Sequence, residues 1–152
     1  MQVSDAMSTE VRSCHPDEPL LEVAARLSAS GGDCFVVVES AEAPALVGML
    51  TLRDVARALS DDASPFEALE VENVMSRAVH ACRADEPLWE AAEAMRAPGI
   101  RHLPVLGDDR HVVGVVSLTD LARAAVSSPR GGAVVLSPTA VCEILIAADE
   151  RR

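Results

Sequence analysis

The sequence contains one set of motifs twice, in the same order. Three runs recur along the chain: residues 17–20 at 85–88, residues 5–8 at 73–76, and residues 48–57 at 114–123. The first is repeated letter for letter as Asp-Glu-Pro-Leu, 68 positions later (85 − 17), and the last returns after 66 (114 − 48). The spacing between matching residues changes by only two along the chain, from 68 to 66. Such a nearly constant spacing indicates a duplicated structural unit. Two units this small are expected to pack together, because neither buries its own apolar face well, so we expect the functional site where they meet.

Each copy is predicted to fold as β-α-β-β-α. An acidic pair followed by Pro19 or Pro87 begins the first helix, where the missing N–H costs nothing and the helix dipole favours negative charge. The buried faces follow the i, i+3, i+4, i+7 spacing of an amphipathic helix: Leu20, Val23, Ala24 and Leu27 in the first copy, and Leu88, Ala91, Ala92 and Met95 in the second. Gly31 and Gly99 are positioned to end these helices.

Short apolar runs between polar turns predict the strands. They are residues 12–14, 34–38 and 46–50 in the first copy, and 80–82, 102–106 and 112–116 in the second. The last two strands of each copy are close enough to form an antiparallel hairpin. A closing helix then buries Val55, Ala58 and Leu59 in the first copy, and Leu121, Ala124 and Ala125 in the second.

The predicted fold class is therefore α+β (α/β), with two β-α-β-β-α repeats and a C-terminal tail. The boundaries are 3–60 for repeat 1, 61–72 for a linker, 73–126 for repeat 2 and 127–152 for the tail. The linker is expected to contain a short helix from Pro65 through Leu69. In the tail, residues 133–136 are a predicted strand. Ser137 and Pro138 are expected to begin an amphipathic helix, which buries Val141, Ile144, Leu145 and Ala148 on one face.

Composition excludes several kinds of partner. The formal net charge is −11 and only 2% of residues are aromatic. Nucleic-acid binding is not expected, because it requires a basic face and single-strand binding also requires aromatic stacking. The sequence has no N-terminal signal pattern and no apolar run near the ~20 residues that span a membrane, so we expect a cytoplasmic protein with no membrane partner.

The cysteines suggest buried hydrophobic residues. Cys14 and Cys82 are repeat equivalents inside short apolar stretches. Zinc binding with His15 or His80 is an alternative, but neither spacing resembles a known ligand set, so no metal is expected. Redox sensing through Cys14, Cys34 or Cys82 is a further alternative, although nothing in the sequence favours a low thiol pKa.

A Gly-x-x-Thr/Ser-x-x-Asp pattern before each closing helix suits a nucleotide's ribose and phosphate. Thr51 and Ser117 precede the helix, where a hydroxyl and free N–H groups suit phosphate. One turn in, a carboxylate can accept hydrogen bonds from ribose hydroxyls, and a cation three residues later can offset phosphate charge. The carboxylates are Asp54 and Asp120; the cations are Arg57 and Arg123, with Arg53, Arg101 and His102 as further candidates.

The same residues also have a purely structural interpretation. Thr or Ser followed by Asp is a helix-capping arrangement, and Asp and Arg at i, i+3 commonly form a solvated surface ion pair. His102 is equally well explained as a half-buried strand residue. No catalytic triad, phosphate-binding loop or zinc-protease motif is present, so we expect no catalytic residues and no enzymatic activity.

The ordered motifs resemble the cystathionine-β-synthase (CBS) domain. They are Met-Ser at the start of each copy, the Asp-Glu-Pro-Leu runs, residues 99–105 (Gly-Ile-Arg-His-Leu-Pro-Val) and residues 114–121 (Gly-Val-Val-Ser-Leu-Thr-Asp-Leu). Two in tandem are similar to a Bateman module, and the resemblance covers roughly residues 3–126. The first copy departs from the family at Gly32-Asp33-Cys34-Phe35-Val36, where a basic residue or His and a Pro are usual.

The resemblance implies two repeats related by a pseudo-two-fold axis, with two clefts between them, and a homodimer. It implies an adenosine-containing regulatory ligand, either an adenine nucleotide (AMP, ADP or ATP) or S-adenosylmethionine, and no catalytic cofactor. The base would be read by the segments Val11-Arg12-Ser13 and Val79-His80-Ala81.

The expected function is therefore that of a regulatory sensor. It binds the adenosine ligand between its repeats and modulates an unidentified partner protein, because a ligand acts only where it binds two states differently. The alternative is a protein-interaction or dimerisation module with vestigial ligand sites. A nucleotide-binding measurement on the folded protein distinguishes the two.

Overall fold

A computed structural model describes residues 1–61, 65–127 and 137–149. They form two compact units, and each contains segments from distant parts of the chain. The first-repeat unit comprises the described parts of Val11–Val79 and Asp109–Val112. The second-repeat unit comprises Met1–Glu10, His80–Asp108 and the described part of Val113–Arg152. The ten N-terminal residues thus belong to the unit built from the second repeat.

Each unit contains one three-stranded sheet. In the first-repeat unit the elements are β1 (Ser13–Cys14), α1 (Leu20–Ala29), β2 (Cys34–Val38), β3 (Leu46–Thr51), α2 (Leu52–Leu59), a 3-10 turn (Phe66–Ala68) and α3 (Val71–Val74). The sheet order is β1-β2-β3, with β1 parallel and β3 antiparallel to β2. This arrangement confirms the predicted hairpin.

The second-repeat unit repeats this order. Its elements are a 3-10 turn (Val3–Asp5), β4 (Cys82–Arg83), α4 (Leu88–Arg96), β5 (His102–Leu106), β6 (Val112–Ser117), α5 (Leu118–Ser127) and α6 (Pro138–Asp149). Asp109 and Arg110 of a further 3-10 turn (Asp108–Arg110), and Val112 at the start of β6, are assigned to the first-repeat unit. The sheet order is β4-β5-β6, with β4 parallel to β5. The predicted α+β class, with two β-α-β-β-α repeats, is confirmed.

The predicted helix faces form the two cores. Leu20, Val23 and Leu27 of α1 are buried, and Ala24 is half-buried against the same cluster. All four predicted residues of α4 are buried as well. Gly31 and Gly99 follow the helix ends at positive φ (63° and 64°), a conformation that glycine adopts without a steric penalty.

Some details differ from the sequence prediction. Pro19 and Pro87 are the N-cap residues themselves, one position before the first helical turn. The strand predicted at 80–82 begins at Cys82 and runs to Arg83. Leu59 was predicted to be buried but is 62% exposed, because Asp54, Val55 and Ala58 occupy the inner face of α2 and turn Leu59 outward.

A short segment at the start of each repeat completes one of the two cores. Val3 is fully buried in the second-repeat unit, and its repeat equivalent Val71 is fully buried in the first-repeat unit. Ser8 N donates to Val115 O (2.9 Å), and Ser76 N donates to Met49 O at the same distance. Each segment therefore adds backbone hydrogen bonds as well as apolar contact to its unit.

The glycine of each Gly-x-x-Thr/Ser pattern makes room for these segments. A Cβ at Gly114 would lie 2.7 Å from Met7 Sδ and 2.9 Å from Ser8 O. At Gly48 the corresponding distances are 2.7 Å to Met75 Sδ and 3.1 Å to the carbonyl oxygen of Ser76. The space that only glycine leaves is thus filled by the protein's own chain.

The tail helix α6 belongs to the second-repeat unit. Ser137 Oγ accepts a hydrogen bond from Ala140 N (3.1 Å), as expected for the predicted N-cap. Val141 and Ile144 are buried in the core with α4 and α5 residues, but Leu145, predicted on the same face, is 46% exposed because it points away from that core. The predicted strand at 133–136 and the side chain of Ala148 lie outside what the structure describes. None of the described helices combines the length and apolar character needed to cross a membrane.

Candidate functional site

The first candidate site is centred on Asp54, at the start of α2. Its Oδ2 accepts hydrogen bonds from Thr51 N (2.9 Å) and Thr51 Oγ1 (2.7 Å), and its own N–H donates to Thr51 Oγ1 (3.3 Å). Arg57 Nη2 donates to Asp54 Oδ1 (2.8 Å). Asp54 is only 5% exposed, and it is the one charged residue in the described chain that is buried.

The second candidate site repeats this geometry at the start of α5. Asp120 Oδ2 accepts from Ser117 N (2.9 Å) and from the Ser117 hydroxyl (2.5 Å). Arg123 Nη1 donates to Asp120 Oδ1 at 2.9 Å. The Asp120 side chain is 17% exposed, against 7% for that of Asp54, so its carboxylate is the more accessible of the two.

Both interpretations of the motif find support in this geometry. The capping arrangement is present, since the Thr51 side chain and the Asp54 carboxylate satisfy each other's backbone N–H groups. A carboxylate has about four lone-pair positions, and Oδ1 of each Asp accepts one hydrogen bond, so it can accept another from a ligand. Arg57 and Arg123 are mostly exposed and present several further N–H donors.

The other candidates of the first-repeat unit lie at the same end of its sheet. Thr51 pairs with Cys34 across β2 and β3, and Ser13 pairs with Val36 across β1 and β2. The parallel register places Val11, two residues before Ser13, at the level of Cys34. Arg53 is exposed on the first turn of α2.

The candidates of the second-repeat unit are tied to β4 and β5. His80 and Ala81 lead into β4, where Cys82 pairs with Val105. Arg101 is half-buried and its carbonyl accepts from Leu118 N (2.8 Å) at the start of α5, while His102 is half-buried at the start of β5. Val79 is the last residue of the segment Val11–Val79 and therefore belongs to the first-repeat unit.

The side chain of Arg12 was not among the predicted site cations, because the segment Val11-Arg12-Ser13 was expected to contribute its backbone. The structure places its guanidinium against Gly32, in the turn before β2. Burial raises the pKa of Cys34 to about 11, with Asp33 adding to the rise and Arg12 opposing it. Arg12 is therefore a further cation near the strand end that Cys34 and Thr51 share. The repeat register aligns Arg12 with His80 (12 + 68), so both copies have a side chain with N–H groups at this position.

Two of the four cysteines, Cys14 and Cys82, are buried as predicted. Cys14 and Cys82 are free thiols inside the two cores, and burial raises the pKa of each to about 12. A raised pKa lowers the fraction of thiolate, which is the form that reacts with oxidants. No group of three or more metal-ligating side chains occurs within the described residues.

Alkylation should therefore discriminate among the thiols. With iodoacetamide at pH 8, we expect the exposed Cys142 to be modified first in the folded protein, and Cys14 and Cys82 to react only after unfolding. Peptide mass spectrometry over time measures this order, with a urea-unfolded sample as the control. Equal rates for Cys14 and Cys142 in the folded protein would contradict burial.

Comparison with known proteins identifies the repeat. A family model described as the CBS domain matches residues 3–61 and 71–127. A 17.7 kDa protein in the bps2 3′ region of Acidianus ambivalens is 32% identical over 125 residues, which cover 81% of this chain and 72% of that protein. The CBS domain-containing protein YhcV of Bacillus subtilis is 30% identical over 133 residues, covering 88% of this chain and 91% of YhcV.

A solved structure shows the same fold. The CBS domain pair of protein MJ0100, determined in complex with 5′-methylthioadenosine and S-adenosyl-L-methionine, superposes with a TM-score of 0.72 at 29% identity. The match covers 82% of this chain and 94% of that one. The duplicated motifs, the two sheets and these matches agree: the chain belongs to the CBS domain family and carries two CBS domains in tandem.

Proposed function

We propose that the protein is a regulatory sensor that binds an adenosine-containing ligand and modulates a partner protein. The observation that carries this proposal is the Thr/Ser–Asp–Arg array, which recurs with the same hydrogen bonds in both units. The ligand-bound CBS pair of MJ0100 supports the ligand class, because both of its named ligands contain adenosine. AMP, ADP, ATP and S-adenosylmethionine are the ligands to test.

Each part of the array has a chemical role in this proposal. The open positions on Oδ1 of Asp54 and Asp120 accept from ribose hydroxyls. The helix N-termini with Thr51 or Ser117 face a phosphate or another negatively charged group. Arg57, Arg123 and Arg12 supply positive charge in a chain whose formal net charge is −11. No residue is assigned a catalytic role, and the regulated partner is a separate protein in a cytoplasmic setting.

A second candidate function rests on the same carboxylates. Because Asp54 is almost fully buried and already accepts three hydrogen bonds, its array is also a complete structural cap. On this alternative the ligand sites are vestigial and the protein works through protein–protein contacts.

A thermal-unfolding measurement distinguishes the two functions. A ligand at about 100 times its dissociation constant stabilises the folded state by about 2.7 kcal/mol, which raises the melting temperature of a chain this size by roughly 5–10 °C. We expect such a shift with at least one of AMP, ADP, ATP and S-adenosylmethionine at millimolar concentration. GMP at the same concentration is the control for non-specific anion binding. No shift with any adenosine ligand, in a folded sample, would favour the interaction module.

A further inference from the structure

The two candidate sites differ in charge at one repeat-equivalent position. In the first-repeat unit, Asp33 O accepts a hydrogen bond from Leu52 N (3.2 Å), the first residue of α2. In the second-repeat unit, Arg101 O accepts the equivalent bond from Leu118 N (2.8 Å), the first residue of α5. Asp33 and Arg101 are 68 positions apart (101 − 33), which is the repeat spacing. The position beside each helix start is therefore acidic in the first-repeat unit and basic in the second.

Neither of these two charges is neutralised within its own unit. Asp33 and Arg101 take part in none of the ion pairs that the structure describes within residues 1–61, 65–127 and 137–149. By contrast, the arginine of each Thr/Ser–Asp–Arg array already pairs with the aspartate of that array. Asp33 is exposed and Arg101 is half-buried. Both charges are therefore available to a ligand.

The first-repeat site also places a cation beside its extra carboxylate. The guanidinium of Arg12 lies against Gly32, which directly precedes Asp33. Gly32 does not adopt a positive φ, but a Cβ there would collide with that guanidinium, so the glycine makes room for Arg12. Burial and then the Asp33 carboxylate raise the pKa of Cys34, whereas Arg12 lowers it, so both charges lie close to the start of β2. This site thus offers a carboxylate and a guanidinium together.

The second-repeat site offers cations without that carboxylate. The residues equivalent to Arg12 and Cys34, 68 positions later, are His80 and His102. With Arg101, the three equivalent positions therefore carry one guanidinium and two imidazoles. An anionic group placed there meets no counterpart of the Asp33 carboxylate.

The adenosine ligands considered above differ in charge in the same way. AMP, ADP and ATP carry negatively charged phosphate on the ribose. S-adenosylmethionine carries a sulfonium, an ammonium and a carboxylate on the same ribose carbon. A carboxylate beside the site repels phosphate and attracts sulfonium and ammonium, whereas a guanidinium attracts phosphate and carboxylate.

We propose that Asp33 and Arg101 determine which adenosine ligand each site accepts. The first-repeat site takes S-adenosylmethionine: Asp33 attracts its sulfonium and ammonium, and Arg12 pairs with its carboxylate. The second-repeat site takes an adenine nucleotide, whose phosphate pairs with Arg101. This inference rests on the proposed adenosine-binding function and adds that the two ligand classes bind the same chain without competing.

Isothermal titration calorimetry of the wild type tests whether the ligands use separate sites. We expect one molecule of S-adenosylmethionine and one of AMP per chain. Saturating AMP should change the dissociation constant of S-adenosylmethionine by less than about two-fold, because ligands at uncoupled sites bind independently. Adenosine is the control ligand: it lacks both charged groups and should bind more weakly than either.

Exchanging the charges tests the two positions themselves. Asp33→Arg should weaken binding of S-adenosylmethionine at least about ten-fold and add a second AMP per chain, because the first-repeat site then matches the second in charge. Arg101→Asp should weaken AMP binding at least about ten-fold. Arg101→Gln removes the charge with less disturbance of a half-buried side chain and should weaken AMP binding in the same direction.

Glu67→Arg is the matched control for charge reversal in the first-repeat unit. Glu67 is exposed on the 3-10 turn before Leu69, whose carbonyl oxygen accepts from the first residue of α1, Leu20 (2.8 Å). Asp33 follows the other end of that 10-residue helix, about 15 Å away along its axis. The Glu67→Arg variant should therefore leave both affinities unchanged.

The outcomes separate this inference from the proposed function. A protein that binds neither ligand contradicts both. Competition between the two ligands, binding of one class only, or unchanged binding in Asp33→Arg and both Arg101 variants overturns the charge assignment alone, since an adenosine ligand still binds. Asp33 is exposed and its side chain makes no hydrogen bond within the described residues, so Asp33→Arg should fold, as circular dichroism will show.

Discussion

Replacing Asp120 with alanine is expected to weaken binding of the adenosine ligand by ten-fold or more. The substitution removes the carboxylate that accepts from ribose, and a hydrogen bond to a charged group contributes about 1.5–3 kcal/mol, where 1.4 kcal/mol corresponds to ten-fold. Asp54→Ala should have the smaller effect on affinity, because the Asp54 carboxylate is the more deeply buried of the two. Isothermal titration calorimetry with the ligand that shifts the melting temperature measures both.

The same substitution also removes the carboxylate half of the capping arrangement at the start of α5, so a stability control is needed. Loss of an N-terminal cap costs about 1 kcal/mol of folding free energy, and circular dichroism will show whether the variant is folded at the titration temperature. Asp120→Asn keeps the shape of the side chain while removing its charge, and should also weaken binding. Asp108→Ala removes an almost fully exposed carboxylate of the same unit and should leave affinity unchanged. An unchanged affinity for Asp120→Ala would remove this residue from the site.

The duplication predicted the architecture well, because comparing the two copies indicates both the order of helices and strands and the buried face of each helix. The buried faces of α1 and α4 and the strands β2 and β5 follow from local periodicity, which one repeat supplies and the other corroborates. The N-terminal segments are different. Val3 lies at the start of the first repeat in sequence but in the core of the second-repeat unit, and local pattern carries no information about which of two similar units receives it.

The sequence predicted which residues form the candidate site better than it predicted the contacts that they make. The Thr51–Asp54 and Asp54–Arg57 contacts follow from helical spacing alone. The role of Gly48 does not, since the atoms that fill its space come from Met75 and Ser76, 27 or more positions along the chain (75 − 48). Tertiary packing determined that contact, as it also determined the position of the Arg12 side chain.

Removing residues 1–9 is expected to destabilise the second-repeat unit, although these residues lie at the start of the first repeat. The deletion exposes the core site of Val3 and removes five backbone hydrogen bonds to the rest of the unit: Val3 N to Glu86 O, Ser4 N to Ala84 O, Leu88 N to Met1 O, and the two between Ser8 and Val115. Burial of one valine contributes about 1.5–3 kcal/mol, so the total loss should be at least about 3 kcal/mol. Urea unfolding measures the change in free energy.

Hydrogen exchange will show where this loss falls. In the deletion variant, and more weakly in Val3→Ala, we expect amides of α4 and β5 to lose protection while those of α1 and β2 keep it. Val71→Ala is the matched control, because it creates the same cavity in the first-repeat unit and should reverse the pattern. Loss of protection in α1 for the deletion variant would mean that the segment supports the repeat in which it is encoded. If the expected result is obtained, the core of each unit depends on a segment that lies, in sequence, at the start of the other repeat. A repeat cut out at its sequence boundaries would then lack the segment that completes its core.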